Sequence, residues 1–168
     1  MVKVSLPDWP WSAVRRVAEA RGVSIWPVGG AVRDLLLDLP VHDWDFVVER
    51  DGLKLARAVA DALAGAFYPL DEARDTGRVV LMPGDEAGER LVLDFAAMRG
   101  ERIEIDLLAR DFTINAMAVD EQSAVIDVTG GLDDIENGIV RAVSDQTFQD
   151  DALRLLRAVR VEAGLGFE

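Results

Sequence analysis

Residues 24–48 read Ser-Ile-Trp-Pro-Val-Gly-Gly-Ala-Val-Arg-Asp-Leu-Leu-Leu-Asp-Leu-Pro-Val-His-Asp-Trp-Asp-Phe-Val-Val, and the order of residue types in this stretch sets the architecture. Residues 24–28 form a short buried strand that runs into Gly29-Gly30. Residues 31–37 have helical composition, and residues 44–48 are a second strand. Glycines at a strand-to-helix turn let the backbone approach a ligand, and free amides at the helix start can hold a phosphate. Arg33, one turn in, adds a fork-shaped donor for phosphate oxygens. Taken alone, a double glycine is more often an ordinary tight turn with its arginine paired to a surface acid.

Asp43 and Asp45 sharpen the reading. On a strand, residues i and i+2 share a face about 6.6 Å apart. Two carboxylates so placed can converge on one or two Mg²⁺ ions, which hold triphosphate oxygens and lower the pKa of an attacking hydroxyl. With 31 acids in 168 positions, chance alone supplies about five or six acid-x-acid pairs. Location carries the weight, because a phosphate-type glycine turn lies just upstream. The competing reading is a pair of exposed acids beside a turn.

Working outward, residues 12–21 read as an amphipathic helix with Ser12 as N-cap, and residues 52–63 as a second long helix. Residues 66–70, 78–82 and 90–96 read as strands, the last two flanking a turn rich in Gly, Asp and Glu and so forming a hairpin. Asp94 sits there among apolar neighbours, where a carboxylate is costly unless paired or on a metal. It is either a third acid, acting as general base or completing a metal shell, or an edge-strand residue facing water. Residues 111–119 return to helical spacing, residues 125–128 are a strand, and Gly130-Gly131 starts a loop. Residues 151–163 are the cleanest helix, with Gly164 as C-cap. Mixed elements without strict alternation predict an α+β fold, a mixed or antiparallel sheet covered by helices.

Half of the 168 residues are hydrophobic, enough for one main core and the start of a second part. The absence of cysteine removes disulfides, thiolate metal sites and cysteine nucleophiles, and suits a reducing cytoplasm. No run approaches the ~18 apolar residues of a membrane span. Eighteen Lys and Arg against 31 Asp and Glu leave a net charge of −13, so nucleic acid is not bound through a general basic surface. Contact with it needs local arginine clusters or a further segment. His42, the only histidine, excludes histidine-rich metal sites.

Two later stretches carry chemistry. Arg110-Asp111 opens Arg-Asp-Phe-Thr-Ile-Asn-Ala, where Asp111 is either an N-cap or an acceptor for ribose hydroxyls beside a phosphate-gripping Arg110. Asp151, Arg154, Arg157 and Arg160 recur at i+3 steps along one helix ridge. Intrahelical salt bridging is the plain reading. The alternative is a protein template: cytosine and adenine each present an exocyclic amino donor beside a ring-nitrogen acceptor. An Asp that accepts and an Arg that donates match both, whereas uracil and guanine present the reverse.

In this order the motifs resemble the N-terminal part of class II tRNA nucleotidyltransferases (CCA-adding enzymes) and the related bacterial poly(A) polymerases. The resemblance runs from about Ile25 to the end of the chain. It implies a polymerase-β-like nucleotidyltransferase head over residues 1–143, a small mixed β-sheet with helices. Residues 144–168 would then begin a helical neck, with body and tail absent. It further implies Asp43 and Asp45 as ligands of the catalytic metals, Mg²⁺, which leaves Asp94 as the candidate third catalytic acid on the residue reading above. Gly29, Gly30 and Arg33 would contact the triphosphate, Arg110 phosphate and Asp111 ribose. Asp151 and Arg154 would read the base, with Arg157 and Arg160 supporting nucleotide binding. The implied partners are CTP, ATP and the tRNA 3′ end, gripped by C-terminal segments absent here, and the implied location is cytoplasmic. Ala109 and Ala152 depart from the family pattern, which has arginine and proline there. Only residues 100–105 separate Arg99 from Asp106, where CCA-adding relatives carry a longer flexible loop. That short connection predicts C addition with weak or no A addition. Poly(A) polymerase, and a nucleotide-binding module inactive without its missing part, are the alternatives.

Overall fold

The computed structural model describes residues 2–82 and 90–168. Seven strands form one mixed sheet: β1 (Ile25–Val28), β2 (Asp43–Val48), β3 (Ala66–Asp71), β4 (Thr76–Leu81), β5 (Leu91–Ala97), β6 (Met117–Val119) and β7 (Val125–Asp127), in the order β3-β4-β5-β2-β1-β6-β7. Among the described residues only β2 and β5 pair in parallel; every other neighbouring pair is antiparallel. The α+β expectation holds.

Strand alternation sorts β2 between two faces. Trp44, Phe46 and Val48 enter the main core with α1 (Asp8–Ala20) and α3 (Gly52–Leu63), while Val47 joins Val28, Ile103 and Leu107 on the other side. Asp43 and Asp45 share Val47's face. The main core is built on aromatic stacking: Phe46 lies 5.9 Å from Trp44, 5.1 Å from Phe95 and 6.1 Å from Trp11. Phe46→Ala removes the central ring of this stack and is expected to cost about 3–5 kcal/mol, read as a lowered urea midpoint with an unchanged slope.

Several expectations need correction. Helix α1 begins at Asp8, so Ser12 lies inside it; the turn before Ser12 buries Pro10 and Trp11. Residues 111–119 do not continue as a helix. A single 3-10 turn (Thr113–Asn115) leads into β6, whose three residues are all buried between β1 and β7. Sheet pairing there overrides local propensity. The connection at 100–105 turns into α4 (Ile103–Leu108), which presents Ile103 and Leu107 to the sheet. Gly130-Gly131 opens not a loop but α5 (Gly131–Asn137). The Asp127 carboxylate accepts the amides of Thr129, Gly130, Gly131 and Leu132 at 2.9–3.1 Å, satisfying donors that a helix start leaves unpaired.

After a short α6 (Thr147–Asp150), α7 runs Leu153–Leu165 and ends at Gly166, whose φ of 68° closes the helix; Gly164 lies within it. Leu153, Leu156 and Val159 on α7 are 61–70% exposed, whereas Val161 is half-buried beside the cleft that holds the acids. Strands β4 and β5 pair antiparallel as expected, and the turn expected between them falls at residues 83–89, outside the described residues.

Candidate functional site

The sheet registers bring the candidate residues together. Arg78 pairs with Asp94 across β4 and β5, Asp94 with Asp45 across β5 and β2, and Asp45 with Val28 across β2 and β1. This single transverse row ends at the glycine turn, because Gly29 follows Val28. A cleft of about 450 Å³ opens over it. All the expected site residues line that cleft except Asp151 and Arg154, which line a second cleft of about 660 Å³ beside Arg99 and Ala109.

Gly29 is where glycine is required. Its φ of 72° and ψ of −141° lie outside the regions a side chain tolerates, and a Cβ there would sit 3.1 Å from both Arg110 Nη1 and Asp45 Oδ2. The turn therefore brings backbone, guanidinium and carboxylate to one point. Gly30 starts α2 (Gly30–Leu36), with Arg33 one turn further on. Arg33 donates through Nε and Nη2 to Asp34 Oδ1 at 2.9 and 2.7 Å, and through Nη1 to Asn115 Oδ1 at 2.7 Å. Its pairing with Asp34 is the plain alternative weighed from the sequence; the bond to Asn115 also aims the guanidinium across the cleft floor.

Burial pushes the Asp45 carboxyl up to about 6, against an ordinary 3.8. Arg110 and Arg157 oppose that shift from a distance, while Asp94 and Asp43 reinforce it. Burial and the two neighbouring acids outweigh the arginines, so the charged Asp45 carboxylate would gain from a further cation. Among the described residues no three acids or histidines converge closely enough to form a metal cluster. Asp43 and Asp45 make a pair instead, and one or two carboxylates completed by substrate phosphates and water is the donor set Mg²⁺ takes. The residues present thus fit a divalent cation. Asp94 is not an edge-strand acid facing water: it sits on an inner strand and accepts Arg78 Nε and Nη2 at 2.7 Å each.

Arg110 is held by Asp106, whose Oδ2 accepts its Nε and Nη2 at 3.2 Å each while Oδ1 takes the Arg99 amide at 3.0 Å. Asp111 accepts the Phe112 amide at 2.8 Å, the Asn115 side-chain amide at 3.4 Å and Arg157 Nε at 2.8 Å. With no helix starting here, Asp111 is not the N-cap the sequence suggested; the bond from Arg157 ties α7 to the segment between α4 and the 3-10 turn. Arg154 donates to the carbonyls of Thr147 and Ala109 at 3.2 Å each, and Asp151 Oδ1 caps the Leu153 amide at 2.9 Å. Arg160 lines the acid cleft. Sequence reasoning missed Arg78, Asp106 and Asn115. Asp106 and Asn115 each lie four residues from a residue it did find, a helical spacing that was available as a signal.

The family model described as the poly(A) polymerase head domain matches residues 25–141. A CC-adding tRNA nucleotidyltransferase of Geobacter sulfurreducens is 45% identical over 158 residues, covering 94% of this chain and 36% of the relative. A CCA-adding enzyme of Streptococcus sanguinis is 37% identical over 174 residues, covering 89% of this chain and 39% of the relative. A solved complex of a CCA-adding enzyme with ATP superposes with a TM-score of 0.81 at 32% identity, over 97% of this chain and 40% of that one. The chain thus spans somewhat over a third of the length of these relatives.

Proposed function

Because the chain belongs to the poly(A) polymerase head-domain family of nucleotidyltransferases, we propose that it is the catalytic head of an enzyme that adds C to the tRNA 3′ end from CTP and releases pyrophosphate. The observation that carries this reading is the row of carboxylates, Asp94 and Asp45 with Asp43 beside it, meeting the Gly29-Gly30 turn in one cleft. Acids to hold a cation and amides to hold a triphosphate are what transfer to an α-phosphate requires.

Members of the family are generally divalent-metal dependent, and Asp43 and Asp45 are the residues here that would hold Mg²⁺. Bound there, it would make the 3′-hydroxyl more acidic and neutralise the departing pyrophosphate. The chain's own residues do the rest. The Gly29-Gly30 amides and Arg33 hold the triphosphate, Arg110 grips phosphate, and Asp111 accepts the ribose hydroxyls once Arg157 yields its place. Asp94, held in place by Arg78, faces the attacking hydroxyl as the third acid. Asp151 and Arg154 read the base, with Arg157 and Arg160 steadying the nucleotide. On this reading residues 1–143 make the head, 144–168 begin the neck, and a cytoplasmic enzyme is what a tRNA substrate is in keeping with. No described helix is long and apolar enough to cross a membrane.

The preference for C rests on length. The alignment with the CC-adding relative is nearly free of gaps, whereas the CCA-adding relative needs 174 positions to match 89% of this chain. That relative carries residues this chain lacks, and a short connection before Asp106 is where such a difference would bear on A addition. The test is extension of a labelled tRNA ending at its discriminator base, with Mg²⁺ and CTP or ATP separately and together, beside CTP equilibrium binding. Two added C residues without A are expected. A full CCA end overturns the C-only reading, long A tails from ATP alone point to poly(A) polymerase, and absent CTP binding overturns the whole proposal.

A further inference from the structure

Arg78 holds Asp94 in the cleft just described but has been given no contact with nucleotide or RNA, and it ends the transverse row on the side opposite the glycine turn. Neighbouring strands lie about 4.8 Å apart, so three strand spacings place the Arg78 backbone about 14 Å from the Gly29 end. Between them lie Asp94 and Asp45. The other ion-paired arginines of the cleft, Arg33, Arg110 and Arg157, are held by Asp34, Asp106 and Asp111 on the β1 and β6 side. Arg78 stands apart from them across the acids.

In-line displacement fixes what the two ends must do. The new bond from the 3′-oxygen to the α-phosphorus forms opposite the phosphorus–oxygen bond that breaks to release pyrophosphate. If pyrophosphate departs toward Gly29, Gly30 and Arg33, the acceptor strand approaches from the β5 and β4 side. Its terminal phosphodiester then needs a cation there, since a chain of net charge −13 repels RNA elsewhere. Arg78 and Arg90 line the cleft at that end, and Arg78 is the one ion-paired to a cleft acid. Its side chain is 41% exposed, against 24% for Asp94, and the pair uses two of the five donors on the guanidinium. The remaining donors are free to meet a phosphate without releasing Asp94.

Resting on the nucleotidyltransferase reading above, we propose that Arg78 is the acceptor-side phosphate contact. It binds the backbone of the incoming RNA 3′ end while holding Asp94 toward the attacking hydroxyl.

The test measures binding of a fluorescein-labelled RNA minihelix, ending at an unpaired discriminator nucleotide, by anisotropy across a NaCl series. Wild type, Arg78→Gln and Arg78→Lys are compared, with CTP affinity in Mg²⁺ measured on each. Arg78→Gln is expected to weaken RNA binding about tenfold. It should also make the slope of log K against log salt shallower by about 0.7, one single-strand phosphate. Arg78→Lys should restore the slope, and CTP affinity should hold in all three. An unchanged salt slope, or no RNA binding by the wild type, overturns the proposal. So does a loss of CTP affinity confined to Arg78→Gln, which would put Arg78 on the pyrophosphate side. If no protein binds CTP, the nucleotidyltransferase reading itself falls, a result separate from any change in slope.

Discussion

Asp45→Asn is expected to lower nucleotide incorporation by more than about 10³-fold while leaving the metal-free fold more stable than the wild type at neutral pH. Both effects have one cause. Burial raises the Asp45 carboxyl from 3.8 to about 6, so the folded state favours the protonated acid more than the unfolded chain does. Its contribution to stability is therefore complete below about pH 4 and disappears as the pH rises through 6. Above that, the charged carboxylate costs the apo fold about 3 kcal/mol relative to its protonated form. Asparagine keeps the shape and removes the charge. Urea unfolding in EDTA should show the wild type losing stability between pH 4 and 6, with the variant lacking that component. Mg²⁺ should then raise the stability of the wild type by mass action and that of Asp45→Asn far less. A variant with the wild-type pH slope would mean that Asp45 is not the strained group. A variant that still incorporates CTP at a wild-type rate would remove Asp45 from the chemistry.

The same residue shows why much of this site was legible in the sequence. Asp43-x-Asp45 on an apolar strand fixes two carboxylates on one face through strand alternation alone, and the glycine turn upstream needs only local geometry. What local geometry cannot supply is the neighbour on the next strand. The pairing of Asp94 with both Arg78 and Asp45 is a matter of register between segments far apart in sequence, so Asp94 could be suspected and Arg78 could not. The misread elements follow the same division. Residues 117–119 satisfy a helical spacing but are buried on the sheet between two partners, and tertiary pairing decides them. Helix α5 was hidden because two glycines look like a loop, although Asp127, the residue that caps it, stands only three positions before Gly130. Helix α7 is displaced by only two residues from its expected span because its spacing is local, although its C-cap is Gly166 and not Gly164. Its ties to the head, Arg157 to Asp111 and Arg154 to Ala109, span 46 and 45 positions and were not visible.

Those ties frame the second large effect. Arg154→Ala is expected to reduce discrimination for CTP over UTP by at least about 10²-fold, read as the ratio of their kcat/KM values. Sites that hydrogen-bond a polar edge reject the mismatched edge by up to about 10⁴–10⁵, so losing one of two readers leaves a partial preference. Helix α7 runs along both clefts, with Asp151 and Arg154 in the one beside Ala109, and Arg157 and Arg160 in the one that holds the acids. Ala109, Arg110 and Asp111 are consecutive, and the wall they form passes from the second cleft into the first. A nucleotide with its triphosphate at Gly30 and its ribose over Asp111 would therefore carry its base into the second cleft. There, on this proposal, the cytosine amino group would meet the Asp151 carboxylate and its ring nitrogen would meet Arg154. Uracil would set carbonyl against carboxylate and N–H against guanidinium, leaving both partners unsatisfied. Arg154 also braces α7 through the Ala109 and Thr147 carbonyls, so its removal could act through the helix alone. The ratio separates these roles. If CTP and UTP lose efficiency equally, Arg154 is only a strut; if CTP falls toward an unaltered UTP value, it reads the base. Asp45→Asn supplies the contrast, because it should cut both rates and leave their ratio where it was.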